Sequence, residues 1–209
     1  MIRALISDFG GVLTTPLIRG FLAYQEESGV SVEELGGAMA RSADEDGVHP
    51  LYALERGEIS EAEFQHRLES RLEGRFDFGH LRRLYFEHLD PNREMIEFMR
   101  GLREGGMRTA LCTNNVREWE PLWRSKLPEL DEVFEVVVDS AFVGHRKPER
   151  EIYDITLERL GGVNPEECVF VDDVDVNCQG ARELGMQAVR FEDTSRAIAE
   201  VQALLSSGG

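Results

Sequence analysis

Five compact apolar runs, each closed by polar residues, limit what this chain can fold into more than any other feature of its sequence. They are "IRALISDF" (2–9), "MRTALCTN" (107–114), "FEVVVDS" (134–140), "ECVFVDD" (167–173) and "MQAVRF" (186–191). Each is short, contains branched apolar residues and is bounded by turn residues, as a strand buried within a sheet must be. Helical patterns fill the later intervals. "DPNREMIEFMRGLREGG" offers Asp90 as N-cap and Pro91 at the first helical position, sets Met95, Ile96, Met99 and Leu102 on one face, and stops at Gly105. "KPEREIYDITLERLGG" repeats the plan, with Pro148 at its start, Ile152, Ile155 and Leu160 inward, and Gly161 at its end. Strand alternating with helix predicts an α/β fold built on a doubly wound parallel sheet with helices on both faces.

Residues 16–87 break the alternation. They hold no convincing strand but several helical stretches, two of them opened by the capping-box pairs Ser31 with Glu34 and Ser60 with Glu63. The expected organisation is an α/β core of residues 1–15 and 88–209, interrupted by a helical insertion over 16–87. The terminal "SSGG" reads as a frayed tail.

With 209 residues and 42% hydrophobic content, the chain can bury a substantial core. No run approaches the roughly 18 apolar residues of a membrane span, and no leader pattern opens the sequence, so no membrane partner and a cytoplasmic location are expected. Cys112, Cys168 and Cys178 form no CxxC pair and are odd in number, which argues for free, mostly buried thiols. A formal charge of −17 excludes a nucleic-acid partner at long range but leaves room for a small anion held by local donors. Monomer and homodimer both remain open.

In an open parallel sheet, ligands gather beyond the carboxyl ends of the strands. Here those ends carry Asp8, then Thr113 with Asn114, then Asp172 with Asp173, while Lys147 precedes a helix that follows the third run. Any one of these is an ordinary turn or cap residue. Together they would place three carboxylates in one crevice, where mutual repulsion calls for a cation. A hard, oxygen-bound divalent ion such as Mg2+ answers that need.

On these motifs the sequence resembles the haloacid dehalogenase superfamily of Asp-dependent hydrolases. "DFGGVL" matches the family's first motif, DxDG, at Asp8 and Gly11; "LCTNN" is similar to the second through Thr113, "GHRKPEREIY" to the third through Lys147, and "VFVDDVDVNCQGARELGM" to the fourth through Asp172 and Asp173. The insertion resembles the type 1 helical cap on a Rossmann-like core. "LYALERGEISEAEF" looks like the cap of the branch holding sugar-phosphate phosphatases and the phosphatase half of soluble epoxide hydrolases.

The resemblance implies a Mg2+-dependent phosphatase for a small phosphorylated metabolite. Asp8 would be the nucleophile that forms an aspartyl phosphate. Thr113 and Asn114 would hold phosphoryl oxygens and Lys147 would neutralise them. The metal would sit on Asp8, Asp172 and the Gly10 carbonyl, while Asp173 would orient Lys147 or a metal-bound water. Gly10 departs from the pattern, because the family's second aspartate acts as general acid and base and a glycine retains only its carbonyl. Such assistance is worth about 100- to 10,000-fold. His49 and His66 are candidate replacements, and Tyr24, His49, Tyr52 and Arg56 are candidate substrate contacts. A metal-independent dehalogenase-type hydrolase and a phospho-ligand binding module are the alternatives. Phosphonate cleavage wants a cap lysine, and residues 16–87 contain none.

Overall fold

All five runs become strands, and all run parallel. The computed structural model describes residues 1–206; most of the "SSGG" tail therefore lies outside the described residues. Strands β1 (Ala4–Ser7), β2 (Arg108–Thr113), β3 (Val136–Asp139), β4 (Cys168–Asp172) and β5 (Gln187–Arg190) form one sheet in the order β3-β2-β1-β4-β5. Each is shorter than its apolar run by one or two residues at either end, while Thr113, Asp139 and Asp172 stay paired in the ladder. Ile6 lies opposite Ala110 on one side and Phe170 on the other, which makes β1 the central strand. The chain builds outward from β1 to β2 and β3, then crosses to β4 and β5. That reversal opens a crevice at the carboxyl ends of β1 and β4.

The two faces of the sheet bury different layers, as the two-residue period of a strand requires. Leu5, Leu111, Val169 and Val171 point to one side, while Ala4, Ile6, Ala110, Cys112 and Phe170 point to the other and meet Ile152 and Tyr153 of the helix Arg150–Arg159. All three cysteines are buried and free.

Five helices lie between β1 and the next core helix: α1 (Ile18–Ser28), α2 (Val32–Asp46), α3 (Pro50–Glu55), α4 (Glu61–Glu69) and α5 (Phe78–Glu87). Ser31 and Glu34 form the complete capping box at the start of α2. At α4 only half of it forms: Ser60 caps the Glu63 amide, but the Glu63 carboxylate turns to Arg67 instead. The apolar layer under β1 continues without a break into this lobe, through Leu54, Phe64, Leu68 and Leu81.

Helix α6 (Arg93–Glu104) starts later than the sequence predicts, with Asn92 rather than Asp90 as its N-cap. Residues 90–92 are instead tied to residues 13–15. The Thr15 amide donates to the Asp90 carbonyl at 2.8 Å, the Asn92 amide donates to the Leu13 carbonyl at 2.8 Å, and Thr14 bridges Pro91. The chain thus enters and leaves the helical lobe through two adjacent, hydrogen-bonded segments. The helix expected to open at Pro148 also begins late, at Arg150. The cis Lys147–Pro148 bond and the backbone of Lys147 are occupied at the crevice.

Candidate active site

The loop after β1 is shaped by two glycines with different duties. Gly11 has a φ of +79°, and a Cβ there would stand 2.3 Å from Asp173 Oδ2. Only glycine accepts both that backbone and that approach. Gly10 is not among the glycines with positive φ. Its constraint is a neighbour: an added Cβ would lie 2.8 and 2.9 Å from the two δ-carbons of Leu17. Leu17 covers the space into which a side chain at position 10 would extend.

Asp8 follows β1 directly and is 8% exposed. Its Oδ1 accepts from the Phe9 amide at 2.7 Å and from Lys147 Nζ at 2.7 Å, so Oδ2 is the oxygen available to the cleft. Lys147 is 1% exposed, and its Nζ also lies 2.6 Å from Asp172 Oδ2. Burial alone would drive the proton off this lysine; the Asp172 and Asp8 carboxylates override that and hold its pKa above the usual value. Asn114 fixes the lysine from below. Its Oδ1 accepts from the Lys147 amide at 2.7 Å and its Nδ2 donates to the Lys147 carbonyl at 3.0 Å.

Asp172 is fully buried and fully engaged. Oδ1 accepts from the Val174 amide at 2.9 Å and from Asn177 Nδ2 at 3.0 Å, while Oδ2 accepts from Asn177 Nδ2 at 3.1 Å and from Lys147 at 2.6 Å. A carboxylate has about four acceptor sites, and these donors occupy them. Asp173 differs. It is half-buried, packs against Gly11, and makes no side-chain contact with Lys147 among the described residues. Of the two duties considered for it, orientation of the lysine falls to Asp172 and Asp8.

Asp8, Asp172 and Asp173 each place a carboxylate oxygen within 4.8 Å of the others. Three carboxylates share one ammonium. Burial pushes Asp8 up to about 7 against the pull of Lys147, with Asp172 and Asp173 adding repulsion, and burial followed by repulsion from Asp172 raises Asp173 as well. Thr113 is 2% exposed, and its hydroxyl has only a long 3.5 Å contact with the Asn114 carbonyl.

These residues line a cleft of about 740 Å³. Asp8, Gly10, Thr113, Asn114, Lys147 and Asp173 face it, while Asp172 stands behind them. From the helical lobe come Leu17, Ile18, Tyr52, Glu55 and Tyr85. Tyr52 is thus the one candidate substrate contact of four that lines the cleft. Tyr24 is a core residue, 1% exposed, whose hydroxyl takes the Asp77 amide at 2.9 Å. His49 stacks on Tyr52 at 4.3 Å, and Arg56 is committed to Glu149. Neither His49 nor His66 lines the cleft; His66 faces a different hollow beside Glu63 and Glu69.

Glu55, Tyr85, Arg146 and Asn177 escaped the sequence reading. Arg146 binds Glu55 at 2.5 Å and covers the Tyr52 ring at 4.0 Å. Asn177 had a legible signal: it is a polar residue in the first turn of the helix that directly follows the paired aspartates.

Residues 2–185 match the family model of the haloacid dehalogenase-like hydrolases. The chain belongs to this hydrolase family. This haloacid dehalogenase-like hydrolase is 27% identical to bifunctional epoxide hydrolase 2 of Rattus norvegicus over 216 residues, which cover 96% of this chain and 38% of that relative. The chain therefore spans less than two fifths of that relative's length. It is 36% identical over 109 residues to glyceraldehyde 3-phosphate phosphatase of Methanopyrus kandleri, covering 51% of this chain and 45% of the relative. Among solved structures, a HAD family enzyme of Bacteroides thetaiotaomicron matches with a TM-score of 0.72 at 25% identity, over 93% of this chain and 97% of that one. The Bacteroides enzyme has also been solved in complex with magnesium and inorganic phosphate.

Proposed function

We infer that this hydrolase is a Mg2+-dependent phosphatase for small phosphorylated metabolites, with Asp8 as its nucleophile. The observation that supports this most strongly is the converging trio Asp8, Asp172 and Asp173, of which the ammonium of Lys147 pairs with only Asp8 and Asp172. Three carboxylates against one lysine leave two negative charges in a partly buried site, the environment that a hard divalent cation satisfies. The bare backbone of Gly11 lets the Asp173 carboxylate come close enough to join the trio. The donor set fits the ion, but with a changed assignment. Asp172 is saturated by Lys147, Asn177 and an amide, whereas Asp173 retains acceptor capacity, so Asp8, Asp173 and the Gly10 carbonyl are the proposed ligands. Asp172 becomes the residue that holds Lys147. When bound, the ion supplies charge neutralisation to the phosphoryl oxygens.

The chain's own residues divide the remaining work. Asp8 Oδ2 attacks phosphorus and the ester P–O bond breaks, leaving the phosphoryl group on Asp8; water then cleaves the acyl phosphate and restores the carboxylate. Thr113 and Lys147 hold the phosphoryl oxygens as charge develops on them. The helical lobe over residues 16–87 serves as the cap that bounds the cleft and excludes water. The leaving oxygen needs a proton that Gly10 cannot provide. Glu55, which lines the cleft and whose pKa burial raises against the pull of Arg146, is the proposed donor.

Phosphate release from a panel of sugar and alkyl phosphates tests the assignment. Activity with Mg2+ is expected to vanish on chelation and return when the ion is restored; unchanged release in excess chelator would favour the metal-independent dehalogenase chemistry instead. Gly10 gives a second test. Gly10→Asp alone should raise the rate less than it does with Leu17 cut back, because its Cβ must push the δ-carbons of Leu17 aside. Combined with Leu17→Ala, it should speed hydrolysis of alkyl esters by about 10-fold or more relative to aryl esters, which leave without a proton. An equal gain on both ester types would show that the missing acid is not what limits turnover.

A further inference from the structure

Behind the polar cleft lies a second cavity of about 230 Å³, and it is apolar. Phe21, Met39, Leu51, Phe64 and Leu81 form its walls within the helical lobe, and Trp119 closes it from the sheet side. Protein cores are packed to crystal density, with few voids larger than a water molecule. A hollow of this size inside a layer that otherwise packs without a break is a space kept open. Apolar cavities of about 150 Å³ stay dry and take up small hydrocarbons.

The two compartments share walls. Leu17, Glu55, Tyr85, Asn114 and Asn115 line both the cleft and the apolar cavity. The shared polar groups are largely spent elsewhere. Asn114 gives both amide atoms to the backbone of Lys147, Asn115 Oδ1 accepts from the Val116 amide at 3.0 Å, and Glu55 commits its Oε2 to Arg146, leaving Oε1 for the junction. What the junction presents is the Leu17 side chain, the Tyr85 ring and the Glu55 carboxylate. Leu17 is also the residue that lies where a side chain at position 10 would go. The charged group that most of the family keeps beside the leaving oxygen is thus replaced by a hydrocarbon surface leading into the cavity. The mouth of the cleft repeats this chemistry, with Ile18, Val174 and Val176 lining it at 47%, 45% and 51% exposure.

We propose that this cavity is the leaving-group subsite and that the substrates are phosphate monoesters of apolar alcohols, the phosphate held at Asp8 and the hydrocarbon chain passing Leu17 into the lobe. This rests on the phosphatase reading above. The space of about 230 Å³ equals about eight times the roughly 30 Å³ that a water-sized group takes up in a liquid, enough for a chain of about eight carbons. Sugar phosphates, whose hydroxyls would lose their water against Phe64 and Leu51 without partners, are disfavoured.

A series of n-alkyl phosphates from propyl to dodecyl, assayed with the full chain and Mg2+, reads the proposal directly. The expected kcat/KM rises about threefold to fourfold for each methylene and levels off near eight carbons. Leu51→Trp, or Met39→Phe if the first variant does not fold, should lower the octyl-to-propyl ratio about tenfold. A ratio that does not change with chain length, or a preference for glucose 6-phosphate over octyl phosphate, would overturn the subsite. Calorimetry separates the two levels of the inference: on Asp8→Asn, n-octylphosphonate should bind at least tenfold more tightly than n-propylphosphonate. That result without hydrolysis of any ester would remove the phosphatase reading and keep the pocket; equal binding of the two would remove the pocket.

Discussion

Asp8→Asn is expected to lower phosphate release by about 10,000-fold or more, an added barrier of about 5.5 kcal/mol. The substitution isolates charge and nucleophilicity from shape. Asparagine keeps an Oδ1 that can accept from the Phe9 amide and from Lys147, so the loop after β1 loses no hydrogen bond. Its amide nitrogen cannot attack phosphorus as a carboxylate does. Folding should be unharmed, since one of three crowded carboxylates is removed and Lys147 retains Asp172. Phosphate release and a thermal melt on the same sample check both halves. Wild-type turnover in the variant would end the role assigned to Asp8.

Lys147→Met is expected to act on stability as much as on rate. The ammonium is 1% exposed and lies within 2.7 Å of two carboxylates, one of which, Asp172, has no solvent exposure. Methionine fills the same slot with a similar stem, and so leaves Asp8 and Asp172 facing each other with no cation between them. Removing one partner of a buried ion pair costs about 3–5 kcal/mol. For a chain of this length that is a fall in Tm of about 10 °C. The sign of the pH dependence follows. In the variant Asp8, already raised by burial, loses the opposing pull of Lys147, so stability is lost as pH rises and is regained as acid protonates it. A Tm that rises more from pH 8 to pH 5 in the variant than in the wild type is the expected signature. A Tm unchanged at both pH values would show that the pair contributes little.

The sheet was legible because a strand buried among parallel neighbours has little freedom of composition: "ALIS" and "CVFVD" can only be interior. Helix starts were less legible. Asp90 and Pro91 have the right chemistry to open a helix, yet they pair with residues 13–15, a contact across most of the lobe's sequence that no local pattern announces. The site shows the same division. Polar residues at strand ends marked the crevice, but two adjacent aspartates cannot be assigned separate duties from their order. That assignment needs the side-chain geometry, in which Asp172 turns to Lys147 and Asn177 while Asp173 rests on Gly11. What surrounds Gly10 was hidden for a related reason. Glycine is the one residue whose value can lie in what stands next to it, and Leu17 comes close only after folding. His66 faces another hollow and His49 stands behind Tyr52 rather than on the cleft wall, which the helical period alone does not decide.

The paired segments at 13–15 and 90–92 also decide how a ligand can get in. Two backbones laced side by side resist sliding but permit bending, so the lobe has one natural axis on which to rock, like a hatch on a strip hinge. On α3, at the cleft's lobe wall, Glu55 holds Arg146 and Arg56 holds Glu149 as the catch. A substrate entering by that bending would have to part these two clasps, and because each is at least three-quarters buried, salt in the medium would loosen them only weakly.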